Sequence, residues 1–206
     1  PNVFCILRCI FAFSDEPAHT ASLKVPGPNT GDMARVPLLD AEDLPEEYRY
    51  LFTENDVGER EIFQAMANAP KQMQWYMRYS SRLWEVLPER EREVVILAAG
   101  RALQHRYEWH QHVRLGRAAG LDDEDINAIN EHDVEAMDER DAALASYSRS
   151  VAQGDPRDGE HDRLLEFYDV ETVVGIAMLV SFYVATGRTL DALGVAPEEE
   201  FVGWTV

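Results

Sequence analysis

Glu108 and His112 carry the chemistry most worth following in this chain. They lie four residues apart in Glu108-Trp109-His110-Gln111-His112, and a helix advances about 100° per residue, so they stack on one face. His105, three residues before Glu108, is expected to join that face. Val94, Val95, Leu97 and Ala98 precede these residues and Val113 and Leu115 follow. This apolar stripe should face a core. Burying two imidazoles and a carboxylate is costly unless partners satisfy them. Burial also shifts proton affinity, as a general acid or base requires. A carboxylate that orients an imidazole fixes its tautomer and makes it a better base. On this reading His112 carries a proton and Glu108 orients it; the alternative is a structural Glu–His hydrogen bond. His105, Glu108 and His112 also form a two-His, one-carboxylate set of a kind that binds metals, although the spacing differs from His-Glu-x-x-His. His110 points off the shared face and is expected to be exposed. Tyr107, Trp109 and the distant Tyr183 read as pocket aromatics or as core.

The elements that position these residues are helical. Pro45 opens a short helix through Phe52. Glu59 to Asn68 forms a second, ended before Pro70. Pro70 begins a third, running to about Val86, with Met73, Tyr76, Met77 and Trp84 on its apolar side. Pro88 opens a fourth, and its early glutamates Glu89, Glu91 and Glu93 favour a helix N-terminus. The fifth carries Tyr107 to Ala119 and stops at Gly120. Asp122 caps a sixth, to Asn130. Met137 to Gln153 is the seventh, broken at Gly154-Asp155-Pro156, and Arg157 to Phe167 the eighth. Val170 to Thr186, the most apolar, is expected to be central and to end at Gly187. Outside the N-terminal tail no segment alternates as a strand does, so the fold class is all-α.

Composition narrows the rest. The 206 residues are 46% hydrophobic, which suits one soluble domain with its own core. Acidic residues number 38 against 19 lysines and arginines, giving a net charge of −19, and Lys24 and Lys71 are the only lysines. Such a surface reads as salt-adapted, its repulsion screened by concentrated cations, with an ordinary acidic enzyme as the alternative. Without a basic stripe to neutralise phosphates, nucleic acid is not an expected partner. Cys5 and Cys9 are the only cysteines, so no disulfide framework is expected and cytoplasmic residence is the default. Val3 to Phe13 is apolar but too short to span a bilayer, and no membrane association is expected. Ala21 to Asp32 reads as a linker. Residues 1–32 are read as an upstream or flexible segment and 33–206 as the folded domain. Met33 is read as the natural start, with a genuine N-terminal extension as the other reading.

The Glu93–Gly120 stretch resembles the carboxymuconolactone decarboxylase superfamily, which includes the alkylhydroperoxidase D-like proteins. The redox members show Glu, eleven residues, Cys-x-x-Cys, three residues, His. Here the frame reads Glu93, eleven residues, His105-Arg106-Tyr107-Glu108, three residues, His112. The outer Glu and His are kept, and His105 and Glu108 stand at the cysteine positions. Tyr107 to His112 resembles the cysteine-free branch. Ala118-Ala119-Gly120-Leu121 with Asp125-Ile126 resembles the family's continuation, and weaker similarity runs from Leu38 to Gly194.

The resemblance implies an alkylhydroperoxidase D-like helical bundle with a helix–turn–helix active-site core. It implies no metal, no cofactor, a small-molecule substrate and a homo-oligomer (dimer, trimer or hexamer). It makes Glu93 part of a proton relay with His105, Glu108 and His112. Arg106, with Arg101 nearby, would anchor an anionic substrate, and Tyr107 and Trp109 would line its pocket; a surface ion pair is the other reading of Arg106. The expected activity is cysteine-independent acid–base chemistry, such as a lyase acting on a small carboxylated lactone or related acid. Two features separate this chain from the decarboxylases. The Tyr-x-Gly-x-Pro element that follows their Ile126 equivalent is missing, and Phe182 to Gly194 resembles uncharacterised cysteine-free relatives. The alternative function is an oligomeric binding or scaffold protein that has lost peroxidase chemistry.

Overall fold

The computed structural model describes residues 34–54, 57 and 60–206. The expectations for residues 1–32, for Met33, Cys5, Cys9 and the Ala21–Asp32 linker lie outside them. Among the described residues the chain is helical and has no strand. Two single-turn helices, Ala41–Asp43 and Glu46–Tyr48, lead into α1 (Tyr50–Thr53), α2 (Glu61–Met66) and α3 (Pro70–Leu83). Then come α4 (Glu89–Ala102), α5 (Arg106–Ala118), α6 (Asp123–Glu131), α7 (Glu139–Gln153), α8 (Asp158–Leu165) and α9 (Val170–Leu193).

Local chemistry sets most boundaries. Pro70 stands in the first turn of α3 and Pro88 at the cap of α4, where a missing N–H costs nothing. Asp122 and Asp125 form a reciprocal capping box at α6, and Asp138 and Asp169 cap α7 and α9 through their carboxylates.

The centre of the fold is α4. Every residue from Arg92 to Gly100 is buried, because α7, α5, α9 and α6 all pack around it. The most apolar helix, α9, was expected there. It instead buries one face, with Ile176, Leu179, Val180 and Tyr183 in the core, and leaves Val170, Val174 and Met178 exposed. By length and composition α9 could cross a membrane; here its buried face packs on α4 and α7, as a core helix does.

The end of α9 also differs from expectation. The helix passes Gly187 and stops at Gly194, which takes the left-handed conformation with φ +69°. Gly187 has a different use: a Cβ there would lie 2.3 Å from the His105 ring. The glycine makes room for that imidazole.

Candidate active site

The site lies where α4 and α5 face each other. Glu93, mid-way along the buried run of α4, is 1% exposed. Its Oε2 lies 2.6 Å from Nδ1 of His112, on the second turn of α5. Its Oε1 accepts from Nε of Arg92 at 3.3 Å. Arg92 is held in turn by the Trp84 carbonyl at 3.2 Å and by stacking on the Trp84 ring at 4.4 Å. Burial alone would raise the Glu93 pKa, but His112 and Arg92 overcome it and hold the carboxyl below its ordinary value. An ionised Glu93 only accepts, so His112 donates Nδ1–H to it. That fixes the tautomer and leaves Nε2 facing the other way.

On that other side stands Glu108, in the first turn of α5. Its Oε2 is 3.5 Å from His112 Nε2, just beyond a well-formed hydrogen bond. Its Oε1 is buried and has no partner. Burial pushes the Glu108 carboxyl up to about 7; His112 opposes this and the charge of Glu93 adds to it. One imidazole therefore sits between two carboxyls driven apart in proton affinity, an arrangement suited to passing a proton at neutral pH. The sequence reading gave the orienting role to Glu108. The geometry sets Glu93 in the orienting position, at 2.6 Å from Nδ1, with Glu108 farther off at 3.5 Å from Nε2.

Glu108 and His112 line a cavity of about 70 Å³ with Arg60, Phe63, Leu115 and Phe182 among its other walls, space for about two water molecules. Tyr183 stands edge-on to the His112 ring at 5.1 Å. Its oxygen accepts from Trp84 Nε1 at 3.1 Å, and its own proton has no acceptor among the described residues. Burial and the charge of Glu108 raise the Tyr183 pKa well above its ordinary value, so the phenol stays a donor. Tyr76 is committed elsewhere. The Thr186 hydroxyl donates to the Phe182 carbonyl at 2.9 Å, so the Tyr76 hydroxyl, 3.1 Å from it, is the donor to Thr186.

His105 does not join this group. It lines a separate, open cavity of about 730 Å³ with Arg35, Arg106 and Asp191. Its Nδ1 is 3.6 Å from the Asp191 carboxylate, and its buried Nε2 has no partner. Burial lowers the His105 pKa, Asp191 partly offsets this, and Arg188 lowers it further. The two-His, one-carboxylate set is thus not assembled, and no three His, Cys, Asp or Glu side chains among the described residues are arranged to share a metal ion.

Other candidates also fall elsewhere. Arg106 lies over the Phe201 ring at 4.6 Å, on the wall of the larger cavity; the arginine lining the smaller one is Arg60. Arg101 donates to Asn130 Oδ1 at 2.6 Å and stacks on Trp204. Trp109 is fully buried and donates to the Gly203 carbonyl at 2.8 Å, so it is core. Tyr107 lines both cavities and donates to Glu198 Oε1 at 2.7 Å. His110, expected to be exposed, is buried and accepts from the Val202 N–H at 3.2 Å. The cause is the C-terminal strap, residues 195–206, which has no regular structure and lies along α5.

The model of the carboxymuconolactone decarboxylase family matches residues 57–152, a span that holds Glu93, His105, Glu108 and His112. Comparison with curated proteins gave no match. A solved structure from Ralstonia eutropha is similar in fold. It is described as an alkylhydroperoxidase core, an uncharacterized peroxidase-related protein. The TM-score is 0.72 at 20% identity, covering 86% of this chain and 99% of that one. Residues 57–152 thus match that family's model, and the all-helical fold is similar to that of the alkylhydroperoxidase core.

Proposed function

We propose that this protein is a cysteine-independent acid–base enzyme acting on a small carboxylated lactone or related acid. The observation that carries the reading is Glu108: a buried carboxyl on a cavity wall, with one oxygen unpartnered and the other beside an imidazole already oriented by Glu93. In a decarboxylation the bond to the leaving carboxylate breaks and its electron pair stays on carbon as an enolate. Tyr183 supplies an O–H to the developing oxyanion. Glu108 gives its proton to carbon and recovers one from water, with His112 Nε2 as the adjacent station. Glu93 holds the imidazole in register and stabilises it when it is charged.

The test is an assay of lactone decarboxylation beside one of peroxide consumption with a dithiol reductant. Decarboxylation that resists thiol alkylation and is abolished in Glu108→Gln supports the reading. Peroxide turnover that alkylation abolishes would overturn it, and no turnover of any lactone or small acid returns the scaffold reading.

We also propose that the chain self-associates. Trp75 and Tyr79 on α3 and Val174 and Met178 on α9 remain exposed. The Tyr79 ring meets Phe182 of α9 at 5.6 Å, joining the two faces. Exposed apolar surface of this kind is commonly covered by a partner. A monomer mass by light scattering in high salt refutes this.

A further inference from the structure

We propose that the Glu108 cavity binds a small monocarboxylate, with Arg60 holding the carboxylate and Glu108 bonding a second oxygen, oxo or hydroxyl, on the same molecule. The proposal rests on the acid–base reading of the site and names the ligand class that reading leaves open. Three observations carry it.

The first is charge. Among the described residues, Arg60 is the only lysine or arginine lining the cavity. Among the described residues no carboxylate pairs with it, although acids outnumber basic residues 38 to 19 in the whole chain. An anion entering a protein of net charge −19 needs such a group. Arg60 occupies the N-cap position of α2, where a donor-only guanidinium cannot cap the free N–H groups. The helix does not depend on it.

The second is the orphan. Glu108 Oε1 is buried without a partner, and buried polar atoms are rarely left so. When protonated, Glu108 can donate to an oxo group; when ionised, it can accept from a hydroxyl. Either bond lies next to the atom that would exchange the proton.

The third is size and wall chemistry. A space of about 70 Å³, flanked by Phe63, Leu115 and Phe182, admits a molecule of few heavy atoms with a short apolar body. A 2-oxo or 2-hydroxy acid of three or so carbons has this form.

Calorimetric titration of the full chain with pyruvate, and with its neutral amide pyruvamide, tests the assignment. Saturable pyruvate binding is expected, with pyruvamide weaker by about tenfold or more, as for loss of a charge-assisted contact. Arg60→Gln should remove that discrimination while leaving the thermal melt unchanged, and Arg60→Lys should keep part of it. Equal binding of acid and amide, pyruvate binding in Arg60→Gln as tight as in the wild type, or no saturable binding of pyruvate overturns the proposal. The outcome is separable from the function itself. Arg60-dependent binding with no turnover of any acid sinks the acid–base reading alone, and turnover indifferent to Arg60 sinks the subsite alone.

Discussion

Tyr107 stands between two cavities that treat neighbouring residues differently. On one side, Glu108 and His112 line a space of about 70 Å³, with Glu93 bonded to His112 behind it. On the other, His105 lines a space of about 730 Å³, its Nδ1 3.6 Å from the Asp191 carboxylate. His105 and Glu108 are only three residues apart, and a helix would have stacked them. But α5 begins at Arg106, and His105 is its cap, with ψ near 97°. The helical spacing rule ends one residue too soon. The turn sends His105 to the notch at Gly187 on α9, while the first turn of α5 sends Glu108 inward. A shared motif can therefore be split between two sites by a single non-helical residue.

The sharpest way to break this comparison is a pair of alanine variants. His112→Ala should lower kcat/KM by about a hundredfold or more, the usual scale for a lost acid or base. His105→Ala should change it no more than a few-fold. Equal losses in steady-state assays would place both imidazoles in one site.

The second test acts on the outer region. Gly187→Ala drives a Cβ into the His105 ring, and such overpacking costs about 1–3 kcal/mol. The double variant with His105→Ala should recover most of that stability. Urea denaturation of the four-member cycle reads the coupling, and additive losses would show that the two residues do not meet.

A third test sharpens the inner region. Burial raises the folded Glu108 carboxyl to about 7 from its ordinary 4.5. Between those values the folded state holds a proton that the unfolded state has released, so this group's contribution to stability falls as pH rises through the window. Relative to Glu108→Gln, the wild type should lose on the order of 1–3 kcal/mol from pH 4.5 to 8. Glu93, held low, acts oppositely and is lost as pH falls, so only the difference between the two proteins is diagnostic. Parallel stability curves would contradict the assignment.

The smallest expected effect is a response to salt that differs between surface and site. Moving from molar to millimolar salt should lower the melting temperature, because a net charge of −19 loses its screening. The sealed Glu93–His112 pair should hold, since buried pairs are screened far less. A melting temperature that rises on desalting removes the salt-adaptation reading.

Much of this arrangement was legible in the sequence because local chemistry wrote it. Pro70, Pro88, Asp122, Gly120 and Gly154 mark helix ends through backbone and capping preferences that need no tertiary contact. The four-residue spacing of Glu108 and His112 survives because both lie inside α5. What could not be read depends on distant partners. Gly187 looks like a helix end until His105 is seen to fill the space beside it. His110 looks exposed until Val202 covers it. Arg60 gave no signal at all, because only the packing of α2 near α5 sets it on the cavity wall while Arg106 turns to Phe201.

The central claim is that Glu108 is an acid poised near neutrality. Its titration can be followed by ¹³C NMR on protein labelled at glutamate side-chain carboxyls, with Glu108→Gln used to assign the resonance. The account predicts a midpoint near 7, raised by burial of the carboxyl. A midpoint near the ordinary 4.5 would contradict it, because Glu108 would then be a plain carboxylate at neutral pH with no proton to give.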